Sequence, residues 1–546
     1  MQRTKTACCN TVLDIRTTSL GKVLNPLASN DELLIEISIE GWMMTTTIVF
    51  MAAAMLVGDV DVAVTLKDRK VLVGSTSLRL EMKTGFGAAT VDEDKVESIK
   101  FGDPDQVTTS DGTVLKGTSG IERLKLRTDD GVVDVPRDKL VSLGVIRRAA
   151  IEPGQITSGA AANQMTYYLR VPKEYDSKKP ASALVVFHGS NMNSKMYLQT
   201  IISRWPSIAK QYILVGINGE RRNANSPADN PTFNYTYVNF AGKSKYKGYP
   251  GTDRESPALV VEVVREIQKY VSINKVFVGG HSQGGFLTYS VVMNYPDLFD
   301  GAFPVSGGAI VQAEPKAYDN EPLRKQQRRI PFAIVHGETD PAVQFRLSRH
   351  AYESFTDDGF PMVRLFKHKS AGHRFALLPI DQAIDWLARM TSDDPRELLD
   401  FAEQRLANEQ FRDAVAALRR ADQLDADENH RDKLNAIKAR INEIVEPQAK
   451  KFAELISDNN DNTWVDAFLE FRRKFEFADG ARAVVAAYYK LRKKHQKGAD
   501  DLYHAARRDF RSKKQDDAYA KYQQVVDKYY ASSWYPRMKR WIAERK

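Results

Sequence analysis

The chain has 546 residues, of which 42% are hydrophobic and 27% are charged, and its formal net charge is +9. This composition excludes a largely disordered chain and a protein with many membrane-spanning segments. At roughly 100–200 residues per domain, the length predicts about three domains. The 2 cysteines are neighbours in the sequence, so they provide neither a disulfide framework nor a cysteine-based zinc site.

Basic runs such as residues 490–494 lie in the last third of the chain, and no nucleic-acid-binding motif accompanies them. Such runs are typical of solvated helix faces, and we expect no nucleic-acid partner.

An apolar run at residues 48–57 has the length of the hydrophobic part of a secretory signal and is too short to span a membrane. Translation from Met43 or Met44 would place it correctly for export. Residues 1–60 are therefore interpreted as a leader, and a secreted or periplasmic location is expected. The alternatives are a buried strand and a cytoplasmic protein.

Residues 61–148 contain two segments that resemble each other. Val64-Thr65 and Val71-Leu72 in the first segment recur as Val107-Thr108 and Val114-Leu115 in the second. Apolar and polar residues alternate within both segments, which is typical of strands with one buried face. The pattern predicts a small β-rich domain with two repeats and a structural or binding role.

Between residues 149 and 391, short apolar runs rich in β-forming residues alternate with helical patterns. The runs are Ala183–Phe187, Ile213–Ile217, Val276–Val278, Gly301–Val305, Phe332–Val335 and Val363–Phe366. The helical patterns are Ala258–Val271, Gly285–Tyr295 and Ile380–Met390. This alternation predicts an α/β fold in which a doubly wound, mostly parallel sheet carries helices on both faces.

Residues 392–546 show helical patterns and no strand pattern. Breaks between helices are predicted near Asp427, Pro447, 458–462, Gly480, Gly498 and 531–533. Two stretches, Phe401–Gln423 and Leu502–Tyr529, have small residues and aromatic residues at spacings typical of tetratricopeptide-like (TPR-like) helix pairs. We expect an α-helical, TPR-like domain that offers a surface to a protein partner.

The chemistry centres on Gly280-His281-Ser282-Gln283-Gly284, which lies between a predicted strand and a predicted helix. Glycines on both sides of the serine allow the sharp turn that exposes its hydroxyl at the carboxyl edge of a sheet. Ser282 is therefore the predicted nucleophile. A serine hydroxyl needs a base that is oriented by an acid, and in this context the order along the chain is Ser, acid, His.

The loop after the run Phe332–Val335 supplies the acid, and we assign Asp340, with Glu338 as the alternative. Of the 9 histidines, only His368 and His373 are placed for the base, at or just after the next strand. We assign His373 as the base because it lies in a loop, whereas His368 lies at the end of the strand.

Two backbone N–H groups must stabilise the oxyanion that forms in acyl transfer. One is expected from Gln283, which follows the nucleophile, and the other from Ser190 or Asn191 after an early strand. A long insertion follows at residues 221–254, and it is rich in aromatic residues. Tyr235, Tyr237 and Phe240 are predicted to form an aromatic wall for the substrate; the alternative is a loop that packs on its own aromatic residues.

A set of motifs carries a family resemblance: His188-Gly189, 280–285, 295–301, 306–308, His336-Gly337-x-x-Asp340 and Gly372-His373. Together they resemble the polyhydroxybutyrate depolymerase, feruloyl and acetyl-xylan esterase, and phospholipase/carboxylesterase group of α/β hydrolases. The resemblance covers residues 165–391. It departs at residues 190–193, where Ser-Asn-Met-Asn replaces a glycine-rich stretch.

The resemblance implies ester hydrolysis through an acyl-enzyme at Ser282, with neither a metal nor an organic cofactor. Esters of polysaccharide, phenolic or polyester type are the expected substrates. Two other hypotheses remain open at this stage. One is a serine peptidase of the prolyl-oligopeptidase kind, and the other is an interaction scaffold built on the helical repeats.

Overall fold

The structure is a computed structural model. It describes residues 59–545 apart from positions 69, 79, 111–112, 129, 228, 236–255, 310–324, 425–426 and 459–461. The expected leader, with its apolar run at residues 48–57, lies outside the described residues. From Asp59 onward the chain belongs to one compact unit.

The first part of the described chain forms an antiparallel sheet of 10 strands. The strands are β1 Val60–Leu66, β2 Val71–Thr76, β3 Leu80–Thr84, β4 Gly87–Val91, β5 Val96–Lys100, β6 Asp105–Thr109, β7 Val114–Ser119, β8 Arg123–Thr128, β9 Gly131–Pro136 and β10 Leu140–Val145. Alternation along the strands buries one face, for example at Leu80 and Met82, while Glu81 between them is exposed.

The strand order of this sheet is β4-β3-β7-β6-β5-β10-β1-β2-β8-β9. The order is symmetric about the β5–β10 pair when each strand of the first half is matched with the strand five positions later. Hairpin β3–β4 pairs with β7, and hairpin β8–β9 pairs with β2. Each half of the sheet therefore completes the other.

A second sheet of 8 strands follows. Its strands are β11 Thr157–Ala160, β12 Thr166–Arg170, β13 Ala181–Phe187, β14 Ile213–Ile217, β17 Ile273–His281, β18 Gly301–Val305, β19 Phe332–Gly337 and β20 Val363–His368. The order is β11-β12-β14-β13-β17-β18-β19-β20. Strand β12 pairs antiparallel with both β11 and β14. From β14 to β20, all neighbouring strands pair parallel. A separate short ribbon consists of β15 Arg221–Arg222 and β16 Phe233–Asn234.

Helices cover both faces of this sheet, as the sequence predicts. They are α1 Ser194–Arg204, α2 Pro206–Gln211, α3 Ser256–Gln268, α4 Gln283–Asn294, α5 Arg346–Asp357 and α6 Ile380–Met390. The central strand β13 shows how the faces separate: Leu184 and Val186 pack toward α1, α2 and α6, whereas Val185 packs toward α3, α4 and α5. The predicted α/β architecture is confirmed.

The remaining described helices are α7 Pro395–Ala407, α8 Phe411–Ala421, α9 Glu428–Asp458, α10 Val465–Phe475, α11 Arg482–Arg511, α12 Gln515–Lys528 and α13 Tyr535–Arg545. They share one hydrophobic core with the face of the sheet that carries α6, because Trp386 and Leu398 belong to the same cluster of buried side chains. An ion pair of 2.5 Å between the buried Arg472 of α10 and the half-buried Asp357 of α5 adds a polar link.

Two of the predicted helix breaks are wrong. Pro447 lies inside α9, where Val445 and Ala449 are buried on either side of it, so that core packing offsets the lost hydrogen bond. Gly498 lies inside α11, and a Cβ at this position would come within 2.4 Å of the Tyr529 ring. This glycine allows a close helix approach instead of ending the helix.

None of the helices in the described ranges is long and apolar enough to cross a membrane.

Candidate active site

Ser282 occupies the sharp turn between β17 and α4. Its backbone has φ 56° and ψ −114°, a conformation that costs energy for a residue with a side chain. A Cβ at Gly280 would lie 2.6 Å from Cβ of Phe187, and one at Gly284 would lie 2.6 Å from the Phe187 carbonyl oxygen. Both flanking glycines are therefore required, because strand β13 approaches the turn closely.

Asp340 lies in the loop after β19, and its side chain is buried. Its Oδ2 is 2.7 Å from Nδ1 of His373, and its Oδ1 accepts hydrogen bonds from the N–H groups of Ala342 and Val343 at 2.9 and 2.8 Å. Burial alone would raise the pKa of Asp340, but the hydrogen bonds from His373 and from these N–H groups outweigh it and hold the pKa below its usual value. The carboxylate is ionised at neutral pH.

The alternatives to this pair are engaged elsewhere. Glu338 forms an ion pair of 2.9 Å with Lys367 on β20. His368 ends β20 and is exposed. Asp340 and His373 are therefore the acid and the imidazole that the fold brings together, as the order along the chain predicts.

The His373 ring lies beside the nucleophile turn, because its centroid is 4.4 Å from that of His281, the residue before Ser282. With Nδ1 directed at Asp340, Nε2 is the ring nitrogen left to receive a proton. Within the described residues, Ser282 Oγ and His373 form no hydrogen bond. Such catalytic contacts are often long without substrate and tighten when it binds.

Two further histidines support this arrangement, and the sequence reasoning assigned them no role. His281 Nδ1 is 2.9 Å from the Tyr197 hydroxyl, and burial together with the neighbouring His373 lowers the pKa of His281 to about 3. His336 Nε2 lies 3.3 Å from Asp340 Oδ2, and burial lowers its pKa as well. Both rings are neutral at neutral pH, and they contact Asp340 and His373 without adding a charge beside them. The sequence did contain a clue to each: His281 directly precedes Ser282, and His336 forms a His-Gly pair shortly before Asp340.

The candidate oxyanion donors lie in two loops. Gln283 is the first residue of α4, a position whose N–H has no acceptor within the helix. On the other side, the N–H of Asn191 donates to Oδ1 of Asn234 at 3.1 Å. Asn191 is therefore engaged, and Ser190 is the alternative that this conformation favours. Gly189, just before it, lies against Ser282, since a Cβ there would be 3.5 Å from Cβ of the serine.

One short segment, Phe233–Tyr235, touches both oxyanion loops, and we call it the clamp segment. Oδ1 of Asn234 accepts from Asn191 as described, and its Nδ2 donates to Oδ1 of Asn191 at 2.8 Å. The Tyr235 backbone brackets the Gln283 side chain, with its N–H donating to Oε1 and its carbonyl accepting from Nε2, both at 3.2 Å. Asn191 itself has φ 57°, a left-handed conformation that asparagine tolerates better than most residues.

Tyr235 does not line an aromatic wall for the substrate, because its side chain is buried. Its side chain is 3% exposed, its ring stacks on His188 at 4.4 Å, and its hydroxyl donates to the Ile217 carbonyl at 2.5 Å. A ring packed in this way supports the loop from below, so the prediction that Tyr235 lines a substrate wall is wrong. Tyr237 and Phe240 lie outside the described residues.

His188 shares this supporting role. Its ring is fully buried, with Nδ1 2.7 Å from the Gly189 carbonyl oxygen and Nε2 accepting from the Gly219 N–H at 3.0 Å. Burial lowers the pKa of His188 to about 4, and the ring is neutral at neutral pH. It holds the backbone of the loop that carries Ser190 and takes no part in proton transfer.

Among the described residues, no group of three or more His, Cys, Asp or Glu side chains is arranged to hold a metal ion. The polar groups around Ser282 are of the kinds that nucleophilic catalysis with an acid and a base uses.

Residues 174–387 match the family described as Phospholipase/Carboxylesterase. This segment includes β13, β17, β19 and β20, and with them Ser282, Asp340 and His373. The match supports a hydrolase of the carboxylesterase type.

Solved structures similar to this chain include a thermostable esterase (16% identity, covering 57% of this chain and 95% of that one, TM-score 0.31). Others are an acetyl xylan esterase from Aspergillus awamori (15% identity, 43% and 99% covered, TM-score 0.31) and acyl-protein thioesterase 2 from Zea mays (16% identity, 41% and 97% covered, TM-score 0.29). Likenesses at this level carry no argument about the substrate.

Proposed function

We propose that this protein is a serine carboxylic ester hydrolase that acts through Ser282, His373 and Asp340 and forms an acyl-enzyme. The observation that carries the proposal is the 2.7 Å contact between Asp340 Oδ2 and His373 Nδ1 beside a serine held at φ 56°. An ionised carboxylate on one ring nitrogen leaves the other to act as a base toward the serine.

In the first half of the reaction, Ser282 Oγ attacks the ester carbonyl carbon while its proton passes to His373 Nε2. The carbonyl oxygen becomes an oxyanion that accepts hydrogen bonds from the N–H groups of Gln283 and Ser190. When the tetrahedral intermediate collapses, the bond to the alcohol oxygen breaks, and His373 donates its proton to the leaving alcohol. Asp340 stabilises the imidazolium throughout.

In the second half, a water molecule takes the place of the alcohol. His373 removes a proton from this water as its oxygen attacks the acyl carbon, and the same N–H groups hold the second oxyanion. Collapse returns the proton to Ser282 Oγ and releases the carboxylic acid. The sequence of steps uses no metal and no organic cofactor.

The substrate class in this proposal is an ester of polysaccharide, phenolic or polyester type. It rests on the motifs around His188, Ser282 and His373 that resemble esterases acting on such polymers. The helices from α7 onward are proposed to be TPR-like and to offer a surface to a protein partner. Export from the cytoplasm is proposed from the apolar run at residues 48–57.

A fluorophosphonate probe tests the nucleophile, and p-nitrophenyl acetate, methyl ferulate and acetylated xylan test the substrate class. Purified protein is expected to be labelled by the probe and to hydrolyse at least one ester, and Ser282→Ala should abolish labelling and lower kcat by about 10³-fold or more. Ser203→Ala, on the exposed side of α1, is the matched control and should behave as the wild type. Equal ester turnover by Ser282→Ala would overturn the proposal.

A further inference from the structure

A cleft of about 360 Å³ lies between helix α5 of the hydrolase domain and the last three helices of the chain. Five arginines line it: Arg346, Arg349, Arg507, Arg537 and Arg540. Among the described residues, the lining contains neither Asp nor Glu. This volume is within the range of pockets that hold small organic ligands.

The positive charge of the cleft is only partly neutralised. Arg540 forms an ion pair with Glu353. Asp357, one turn further along α5, forms its ion pair with Arg472, and together with Asp358 it also attracts the charge of Arg537. Arg537 is half-buried, and its guanidinium lies over the Trp534 ring at 5.3 Å from the centroid.

The pKa of His350 reflects the same excess of positive charge in the cleft. It is half-buried in the cleft, and burial, followed by the nearby charges of Arg537 and Arg540, lowers its pKa to about 4. Asp357 acts in the opposite direction and does not compensate. His350 is therefore neutral at neutral pH, and the cleft gains a hydrogen-bonding ring without a further charge.

The wall formed by the last three helices is aromatic as well as basic. Tyr503 and Trp534 stack with centroids 3.7 Å apart, and Trp541 lies 6.5 Å from Tyr503 and 5.2 Å from Tyr522. The Trp534 Nε1 donates to Asp500 at 2.6 Å, which holds the indole in place. Flat, rigid side chains of this kind pack against rings, whereas the planar guanidinium groups that line the same cleft match carboxylate and phosphate oxygens.

The cleft is close in the chain to the acid of the active site. Helix α5 begins 6 residues after Asp340, and its Ser348 hydroxyl is 2.7 Å from His336 Nδ1. Leu347 lines the cleft and also packs on Gly308. A Cβ added at Gly308 would lie 2.9 Å from the Leu347 Cβ. One helix therefore faces both the catalytic loop and the cleft.

We propose that this cleft is a binding site, separate from the esterase centre, for an anionic sugar ring. Its carboxylate or phosphate would bind the arginines, and the ring would pack on Tyr503, Trp534 and Trp541. Neutral sugars would lack the ionic contacts. The proposal does not depend on the ester chemistry at Ser282.

Titration calorimetry with three probes tests the proposal: trigalacturonic acid for a carboxylated sugar, glucose 6-phosphate for a phosphorylated one, and xylotriose as the neutral control. We expect at least one anionic probe to bind, more weakly at high salt, and xylotriose not to bind. Binding of trigalacturonic acid alone would identify a carboxylated ligand, and binding of glucose 6-phosphate alone a phosphorylated one.

Variants locate the binding. Arg507→Gln and Arg537→Gln should each raise the Kd by about tenfold, because each removes charged hydrogen-bond donors. Arg508→Gln, one residue from Arg507 and outside the lining, should change the Kd by less than about twofold. Ser282→Ala should bind as the wild type does, which separates this site from the proposed function. Equal binding of all three probes, binding of none, or equal effects of Arg507→Gln and Arg508→Gln would overturn the proposal.

Discussion

Replacing Asn234 by alanine removes the clamp from the oxyanion loop without touching Ser282, His373 or Asp340. The substitution deletes three side-chain hydrogen bonds: one from the Asn191 N–H at 3.1 Å, one to Asn191 Oδ1 at 2.8 Å, and one to Asn223 Oδ1 at 2.9 Å. Two of the three hold Asn191, which has φ 57°.

The magnitude follows from the conformation that is released. A left-handed conformation costs most residues with a Cβ about 1–2 kcal/mol, and asparagine lies at the low end because its short polar side chain can hydrogen-bond locally. Without Asn234, this cost is no longer offset, and the fraction of molecules with a formed oxyanion loop falls by about 5-fold. Because the oxyanion contacts strengthen in the transition state, the loss should appear in kcat more than in KM.

The assay is steady-state hydrolysis of p-nitrophenyl acetate. Asn225→Ala, an exposed asparagine of the same loop, is the matched control and should stay within about twofold of the wild type. Asn191→Gly removes the left-handed penalty, so Asn234→Ala should be several times milder in that background. The reasoning is refuted if Asn234→Ala leaves kcat unchanged, or if its effect is the same with Gly at position 191.

Three further predictions concern charge and packing. Asp340→Asn should lower kcat by about 10³–10⁴-fold, since an amide no longer selects the His373 tautomer that leaves Nε2 free, whereas Glu338→Gln in the same assay should cost far less. Asp105 is buried and paired with Arg137 at 2.8 Å; burial would raise its pKa, but the hydrogen bonds from Arg137 and Ser119 lower it overall. Its stabilising effect is therefore present above pH about 4 and is lost as the pH falls through the lowered pKa, so the difference in Tm between wild type and Asp105→Asn should be large at pH 7 and shrink toward pH 3. A chain that ends at residue 391 should melt about 10 °C or more below the full chain in calorimetry, because α7 and the helices after it share the core of the sheet; an unchanged Tm would mean that the shared core contributes nothing.

The shared core also bears on the role of the helices after residue 391. Buried side chains such as Trp386, Leu398 and Phe401 form one cluster. Charged contacts reinforce it, among them Arg472 with Asp357 and Arg412 with the Phe360 carbonyl oxygen. The helices are thus built into the hydrolase domain, and their final three supply one wall of the basic cleft. Deleting these helices removes core packing as well as any partner surface. Substitutions of exposed helix residues therefore test partner binding better than deletion does.

The sequence by itself determined the local features of the hydrolase domain. Short apolar runs placed six of its strands within a few residues, because a parallel strand buried on both faces reads as a continuous apolar segment. The glycines around Ser282 and the order Ser, Asp, His pointed to the nucleophile and to the pair Asp340–His373, since a turn and the loops after strands are encoded locally.

Tertiary structure decided the features that depend on distant segments. Nothing in the sequence favoured either Ser190 or Asn191 as the oxyanion donor. In the structure, the N–H of Asn191 donates to Asn234, which lies 43 residues later, so Ser190 is favoured. The sequence predicted Tyr235 in a substrate wall, whereas in the structure it is a buried support because it contacts His188 and Gln283. Gly498 stayed inside a helix because Tyr529 fills the space beside it. Only the folded chain brings such partners together, since contacts between residues far apart in sequence leave no local pattern.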